Sequence, residues 1–365
     1  MSQNKILSNI RPEIRSMGAY HVADATGLIK LDAMENPYTL PDDLKAQLAQ
    51  ELAQVAMNRY PIPTYTALKD ELRRYAQVPA DKEILLGNGS DELIAILSQA
   101  IAKQGETVTV LAPAPSFVMY KLSGVFNHLN VVEIPLNADD FSLDAAAFIA
   151  AIEQHHPALV YLPFPNNPTA NLFDESAMRR VVAAARDSIV VVDEAYQPFA
   201  QATWMSALAE FENLLVMRTV SKLGLAGIRL GYMAGDSALI SELDKVRPPY
   251  NVNVLTETVA TFVLRHADVL SEQAAAIRAE RATVCAALAK LPQLRVYEKA
   301  ANFVLVRLDD TLNADQVFAG MKARGVLIKN MSAAHPLLHN CLRITISTPQ
   351  ENAAMLAALF ASLSV

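Results

Sequence analysis

Cysteine is scarce in this sequence: 365 residues hold only Cys285 and Cys341, far apart, with no CxxC pair and no metal-ligand spacing. That excludes a disulfide framework and fits a reducing compartment. Positive charge is also in short supply. Lys and Arg number 31 against 38 Asp and Glu, a formal net charge of −7, so the basic stripe that a nucleic-acid surface needs is missing. No uncharged run reads as a membrane span, because the longest, HHPALVYLPFPNNPTANLF, is broken by prolines and asparagines. The opening MSQNKILSNIRPEIR lacks the apolar core of a signal peptide. Histidines have no ligand spacing: His155 and His156 form a turn before Pro157, and His335 and His339 lie in a proline-containing loop. No metal is expected. Repeats, low-complexity tracts and long linkers are absent too. A cytoplasmic globular protein with small-molecule partners, and with neither nucleic-acid nor membrane partners, is the expectation.

What is present is a dense apolar composition. Hydrophobic residues make up 52% and charged residues 19%, and the length exceeds what one core usually holds, so two domains are expected. PALVYLPFP, DSIVVVDEAY and NLLVMRTVSK are continuous apolar runs, as for strands covered on both faces. KEILLGNGSDELIAILSQAIAK reads as a short buried strand, a glycine turn and a helix, and ETVTVLAPA as a strand ended by Pro113 and Pro115. ESAMRRVVAAARD is a helix between two of these strands. The fold class is therefore α/β, a mainly parallel sheet flanked by helices, with ligands expected beyond the C-terminal strand ends. The last third changes character. A long helical tract, residues 256 to 290, leads into strand, helix, strand, strand and helix, a smaller α+β domain. The boundaries expected are 1–40 for a segment joining the small domain or covering the cleft, 41–265 for the large domain and 266–365 for the small one.

The unusual residues follow these strands. In TVSKLGLAGIRLGYMAG, Lys222 stands in a stretch poor in charge. Desolvation disfavours an ammonium, and a free amine attacks carbonyls; the alternative is a surface lysine beside a turn. Ser221 and Arg229, seven residues after the lysine, suit a phosphate. In GNGSDE, backbone N–H groups at a helix start with Ser90 suit a phosphate too, although an ordinary turn capped by Ser90 or Asp91 uses the same residues. Asp193 ends a buried strand in VVVDEAY, where a carboxylate needs a partner: a pyridinium nitrogen, an internal ion pair or a helix cap. Tyr196 could reach the same place or simply pack. Asn167, before Pro168, offers an amide or serves the turn. Phe117 could stack on a flat ring or sit in the core. Tyr60 in NRYPIPTY reads most simply as a loop aromatic. Arg343, inside the alternating NCLRITIST, either pairs with a protein carboxylate or reads an anionic substrate.

The order of LDAMENPY, NRYPIPTY, GNGSDE, PFPNNPTAN, VVDEAY, TVSKLGLAGIRLGY and CLRITIST, over nearly the full length, resembles the aspartate-aminotransferase superfamily of pyridoxal-phosphate enzymes, the fold type I group. Within it the chain is most similar to the branch acting on histidinol phosphate. The resemblance implies that Lys222 attaches the cofactor's aldehyde, Asp193 holds the protonated pyridine nitrogen, and Tyr196 and Asn167 bond the ring oxygen. Phe117 would stack on the ring, where the family more often has tyrosine. Ser90, Asp91 (through its backbone), Ser221 and Arg229 would surround the cofactor phosphate. Tyr60 would reach the phosphate in the neighbouring subunit, making a homodimer with shared sites. Arg343 would hold the substrate anion. Lys329, where the family often has arginine, keeps the charge without the bidentate fork. Tyr20 and Asn36 would be substrate-side residues. The implied reaction turns L-histidinol phosphate and 2-oxoglutarate into imidazole-acetol phosphate and glutamate. Aromatic aminotransferases and phosphothreonine decarboxylases share much of the pattern. A silent binding protein would have lost Lys222 or Asp193, and both are present.

Overall fold

The structure is a computed structural model that describes residues 2–19, 22–297 and 299–363. Its strands are β1 (Ile29–Lys30), β2 (Lys82–Gly87), β3 (Thr109–Ala114), β4 (Asn130–Pro135), β5 (Leu159–Pro163), β6 (Ile189–Asp193), β7 (Leu214–Thr219), β8 (Gly231–Asp236), β9 (Leu294–Val296), β10 (Phe303–Leu308), β11 (Val326–Leu327), β12 (Lys329–Asn330) and β13 (Cys341–Thr345). Seven of them form the central sheet in the order β2-β8-β7-β6-β5-β3-β4. The pairs from β4 to β7 are parallel, and β8 runs antiparallel to both its neighbours.

The apolar runs become strands covered on both faces because alternate side chains feed two cores. Val160, Leu162, Val190, Val192, Leu214 and Val216 pack into one. Leu159, Tyr161, Val191, Leu215 and Met217 pack into the other. Helices then return the chain to the same edge, so the segments after β2, β3, β5, β6 and β7 all emerge together. β8 enters from that edge, which brings the connection 220–230 there as well.

A second sheet, β12-β13-β10-β9, is antiparallel, with the helices Ala314–Ala323 and Pro349–Leu363 packed against each other beside it. β1 joins β11 in a short parallel pair. The Thr345 N–H donates to Leu31 O at 3.1 Å, extending this stitch to β13. Leu31 and Met34 accordingly lie in the same apolar cluster as Phe303, Val304 and Ile344.

Three details depart from the sequence reading. β4 and β8 were not anticipated. The stretch 294–308 makes a hairpin of β9 and β10 rather than one strand. The long helical tract is two helices, Val254–Arg265 and Ala267–Leu288, broken at His266.

Across the end of β6, Glu194 is fully enclosed and pairs with the buried Arg218 of β7 at 2.8 Å. It also accepts the Trp204 N–H at 2.5 Å and the Thr203 hydroxyl at 3.0 Å. Removing one partner of a buried pair strands the other charge in a poor solvent. Arg218→Met is expected to lower unfolding free energy by about 3–5 kcal/mol, measured by urea denaturation.

Candidate functional site

A cavity of about 450 Å³ opens at the shared edge of the central sheet, where the second sheet meets it. Of the residues singled out from sequence, Ser90, Asp91, Phe117, Asn167, Asp193, Tyr196, Ser221, Lys222, Arg229, Lys329 and Arg343 line it. A second cavity of about 380 Å³ shares Phe117, Tyr120, Asn167, Lys329 and Arg343 with the first and adds Lys121, Glu133 and His335. The two adjoin along these shared residues.

Lys222 stands in an irregular turn, Ser221–Leu225, where Gly224 takes φ 137°. Its ammonium donates to Ala33 O at 2.7 Å. Burial, reinforced by the positive charges of Arg343 and Arg229, pushes its pKa down to about 8. An amine this easily freed of its proton is a nucleophile near neutrality.

Asp193 ends β6 and is buried. Burial raises its pKa to about 6. The donors that reach it are neutral: the Tyr120 hydroxyl at 2.7 Å on Oδ2 and the Ala195 N–H at 3.0 Å on Oδ1. Of the partners considered from sequence, an internal ion pair is thus not found for Asp193 among the described residues; that pair belongs to its neighbour Glu194.

The end of the cavity between β2 and β8 is built for an anion. Arg229, itself at φ 53°, reaches Ser221 Oγ at 3.3 Å and Asp91 Oδ2 at 3.5 Å. The helix Gly89–Ile101 opens onto this guanidinium. Neither Ser90 nor Asp91 caps that helix; Glu92 Oε2 instead accepts the Asn88 N–H at 2.7 Å. Two glycines let the parts meet. A Cβ on Gly89 would lie 2.5 Å from Arg229 Nη2, and one on Gly231 would lie 2.5 Å from the Gly89 carbonyl carbon and 2.7 Å from Ser90 N.

On the opposite side, Asn167 joins two elements. Its amide donates to the Tyr196 hydroxyl at 3.1 Å and its oxygen accepts from Arg343 Nη1 at 2.6 Å. Arg343 Nη2 donates to Asp32 O at 2.8 Å. Two bonds of Arg343 thus go to a side-chain amide and a backbone carbonyl.

Three expected residues stand apart. Asn36 does not line the cavity, because its amide is used in donating to Leu223 O and Gln273 Oε1, both at 2.9 Å; it braces the turn that carries Lys222. Tyr60 is 79% exposed and stacks on Tyr250 with centroids 4.6 Å apart. Tyr20 lies outside the described residues. Two contributors were not anticipated: Tyr120, three residues after Phe117, and the backbone of Asp32 and Ala33. The three-residue spacing of Phe117 and Tyr120 was the available signal for the first.

The donor set fits pyridoxal phosphate. A buried carboxylate with neutral donors suits a cationic ring nitrogen, the Ser90–Ser221–Arg229 corner suits a phosphate, and a buried lysine of lowered pKa suits an aldehyde. Phe117 supplies an aromatic face beside them.

Comparisons with known proteins agree. The sequence model of the family described as aminotransferase class I and II matches residues 26–359. Histidinol-phosphate aminotransferase 2 of Cupriavidus pinatubonensis is 58% identical over 358 residues, covering 97% of this chain and 96% of that protein. Histidinol-phosphate aminotransferase 1 of Ralstonia nicotianae is 57% identical, covering 97% and 94%. The crystal structure of histidinol-phosphate aminotransferase from Sinorhizobium meliloti in complex with pyridoxal-5'-phosphate superposes with a TM-score of 0.84 at 24% identity, covering 98% of each chain, and so shares the fold.

The glycine cradle makes a specific expectation. Gly231→Ala forces backbone apart at the anion corner and should weaken pyridoxal-phosphate binding more than about ten-fold, the cost of an overpacked contact. Gly227→Ala, where an added Cβ meets nothing within 4 Å, should leave it unchanged. Equilibrium dialysis of the apo proteins measures both.

Proposed function

The chain belongs to the class I and II aminotransferase family, and from that premise we propose that it converts L-histidinol phosphate and 2-oxoglutarate to imidazole-acetol phosphate and L-glutamate, reversibly, in histidine biosynthesis. The observation that carries this reading is identity of 58% along almost the whole chain to a protein of that name. Pyridoxal phosphate, when bound, supplies an aldehyde for the substrate amine and a ring that takes up the electron pair left when the Cα–H bond breaks.

The chain's own residues do the rest. Lys222 would hold the aldehyde, and its Nζ, when neutral, would serve as the base toward the substrate's Cα proton. Asp193 would accept the hydrogen bond of the ring nitrogen and favour a proton there. Asn167 and Tyr196, already bonded to each other, would hold the ring oxygen, and Phe117 would cover the ring. Ser90, Ser221, Arg229 and the backbone at Asp91 hold the cofactor phosphate. Arg343 and Lys329 face the same cavity and hold the substrate's anion, which is a phosphate on histidinol phosphate and a carboxylate on glutamate.

The finer assignments belong to the same reading. Residues 41–265 are the large domain and 266–365 the small one, with the first forty residues attached to the small domain through β1 and β11. The enzyme works as a cytoplasmic homodimer. Among the described residues no helix is long and apolar enough to cross a membrane. Met57, Tyr60 and Ile62 are 71%, 79% and 73% exposed on one short segment; such an apolar group suits the surface of a second copy, and it presents Tyr60 to the partner's cofactor.

Lys222→Ala is expected to abolish turnover in a coupled assay with histidinol phosphate and 2-oxoglutarate. Wild-type protein should prefer histidinol phosphate to phenylalanine and release no carbon dioxide; the reverse preference or decarboxylation would move the assignment within the fold. The lysine's lowered pKa adds a pH signature. Only the neutral amine captures an aldehyde, so the rate of pyridoxal-phosphate capture by apoenzyme should rise with pH below about 8 and level above it. An exposed lysine would keep gaining to about pH 10. Stopped-flow absorbance distinguishes the two curves.

A further inference from the structure

Tyr120 lies three residues after Phe117, in the first turn of the helix Met119–Phe126, and its N–H bonds Phe117 O at 3.2 Å. Its ring lies flat on Tyr161, with centroids 4.2 Å apart and planes 9° from parallel. It also meets Phe117 edge-on at 5.7 Å. Tyr120 is 2% exposed and Tyr161 is fully buried. The phenol is therefore held in one orientation, with its hydroxyl 2.7 Å from Asp193 Oδ2. The Ala195 N–H occupies Oδ1 at 3.0 Å. One donor on each oxygen fixes the plane of the carboxyl group.

The chemistry of the acceptor makes this bond consequential. Burial favours the protonated acid, and a hydrogen bond donated to the carboxylate favours the ionised form. A protonated acid would turn a hydrogen toward the ring nitrogen's own hydrogen. An ionised one accepts it.

We propose that Tyr120 is a positioning residue for the transamination: its hydrogen bond keeps Asp193 a charged, correctly aimed acceptor, so that the ring nitrogen of the bound cofactor retains its proton. This rests on the reading of Lys222 and Asp193 given under the proposed function. The turn from Phe117 into the helix then serves both parts, Phe117 toward the ring and Tyr120 behind the carboxylate.

Tyr120→Phe keeps the stacked ring and deletes the donor. Tyr161→Phe removes the hydroxyl of the stacking partner and leaves the Tyr120–Asp193 bond in place. In holoenzyme carrying ring-¹⁵N pyridoxal phosphate, the pH at which the ring nitrogen loses its proton should fall by about one unit or more in Tyr120→Phe, the size expected for one charge-assisted bond. kcat for histidinol phosphate should fall about ten-fold with KM changed less than about two-fold, a loss confined to the chemical step. In apoenzyme with ¹³C-labelled aspartate, the Asp193 midpoint should rise by a comparable amount. Tyr161→Phe should move neither midpoint. If Tyr120→Phe does not fold, 3-fluorotyrosine at position 120 strengthens the donor at nearly unchanged shape, and the Asp193 midpoint should move down. An Asp193 midpoint unmoved by either variant, or a ring nitrogen that titrates in Tyr120→Phe as in wild type, would overturn the proposal. Absence of cofactor at Lys222 in wild type would overturn the reading beneath it; the apo titration needs no cofactor and so tells the two failures apart.

Discussion

A carboxylate sealed at the edge of the central sheet, met by neutral donors, is the constraint to which the surrounding structure answers. Asp193 and Glu194 are consecutive and both buried. Glu194 is neutralised by Arg218, whereas Asp193 receives a phenol and a backbone N–H. A buried charge without a counter-charge is expensive. The chain meets one such cost with its own arginine and, in the reading proposed here, leaves the other to the cofactor's ring. The parallel order of the strands makes this possible, because it delivers the ends of β2, β5, β6 and β7 to one place.

Much of the fold could be read from residue patterns, and the exceptions have physical causes. DSIVVVDEAY and PALVYLPFP are apolar because both faces of β5 and β6 are covered. β4 escaped notice because it is the sheet's outer strand, where NVVEIP is mostly exposed or half-buried and carries Asn130 and Glu133. β8, GYMAGD, is buried but short and glycine-bearing, since Gly231 and Gly235 lie close against Gly89 and Leu215. Its sequence shows the room it must leave rather than the core it joins. The break at His266 falls inside a run whose helical periodicity carries on through it; the ring packs on Phe262 and bonds its carbonyl at 2.9 Å.

The candidate site divides in the same way. Lys222, Asp193, Arg229 and Arg343 drew attention because charges amid apolar or small residues demand an explanation. Tyr120 drew none, since a tyrosine in an apolar helix reads as core, which it also is. Asn36 does not line the cavity, and its amide is taken up by Leu223 and Gln273. Backbone contributors such as Ala33 O have no signature at all, because side-chain identity says nothing about where a carbonyl points.

Those carbonyls have a consequence. Lys222 and Arg343 are tethered to adjoining peptide units, Ala33 and Asp32. A peptide oxygen offers a dipole and no net charge, so these two bonds aim the cations without cancelling their charge. The same peptide units belong to the segment that β1 stitches to β11. An anion or aldehyde that claims either cation competes with that segment for it. Binding at either cation and the seating of Asp32 and Ala33 are thereby linked, each influencing the other to the same extent.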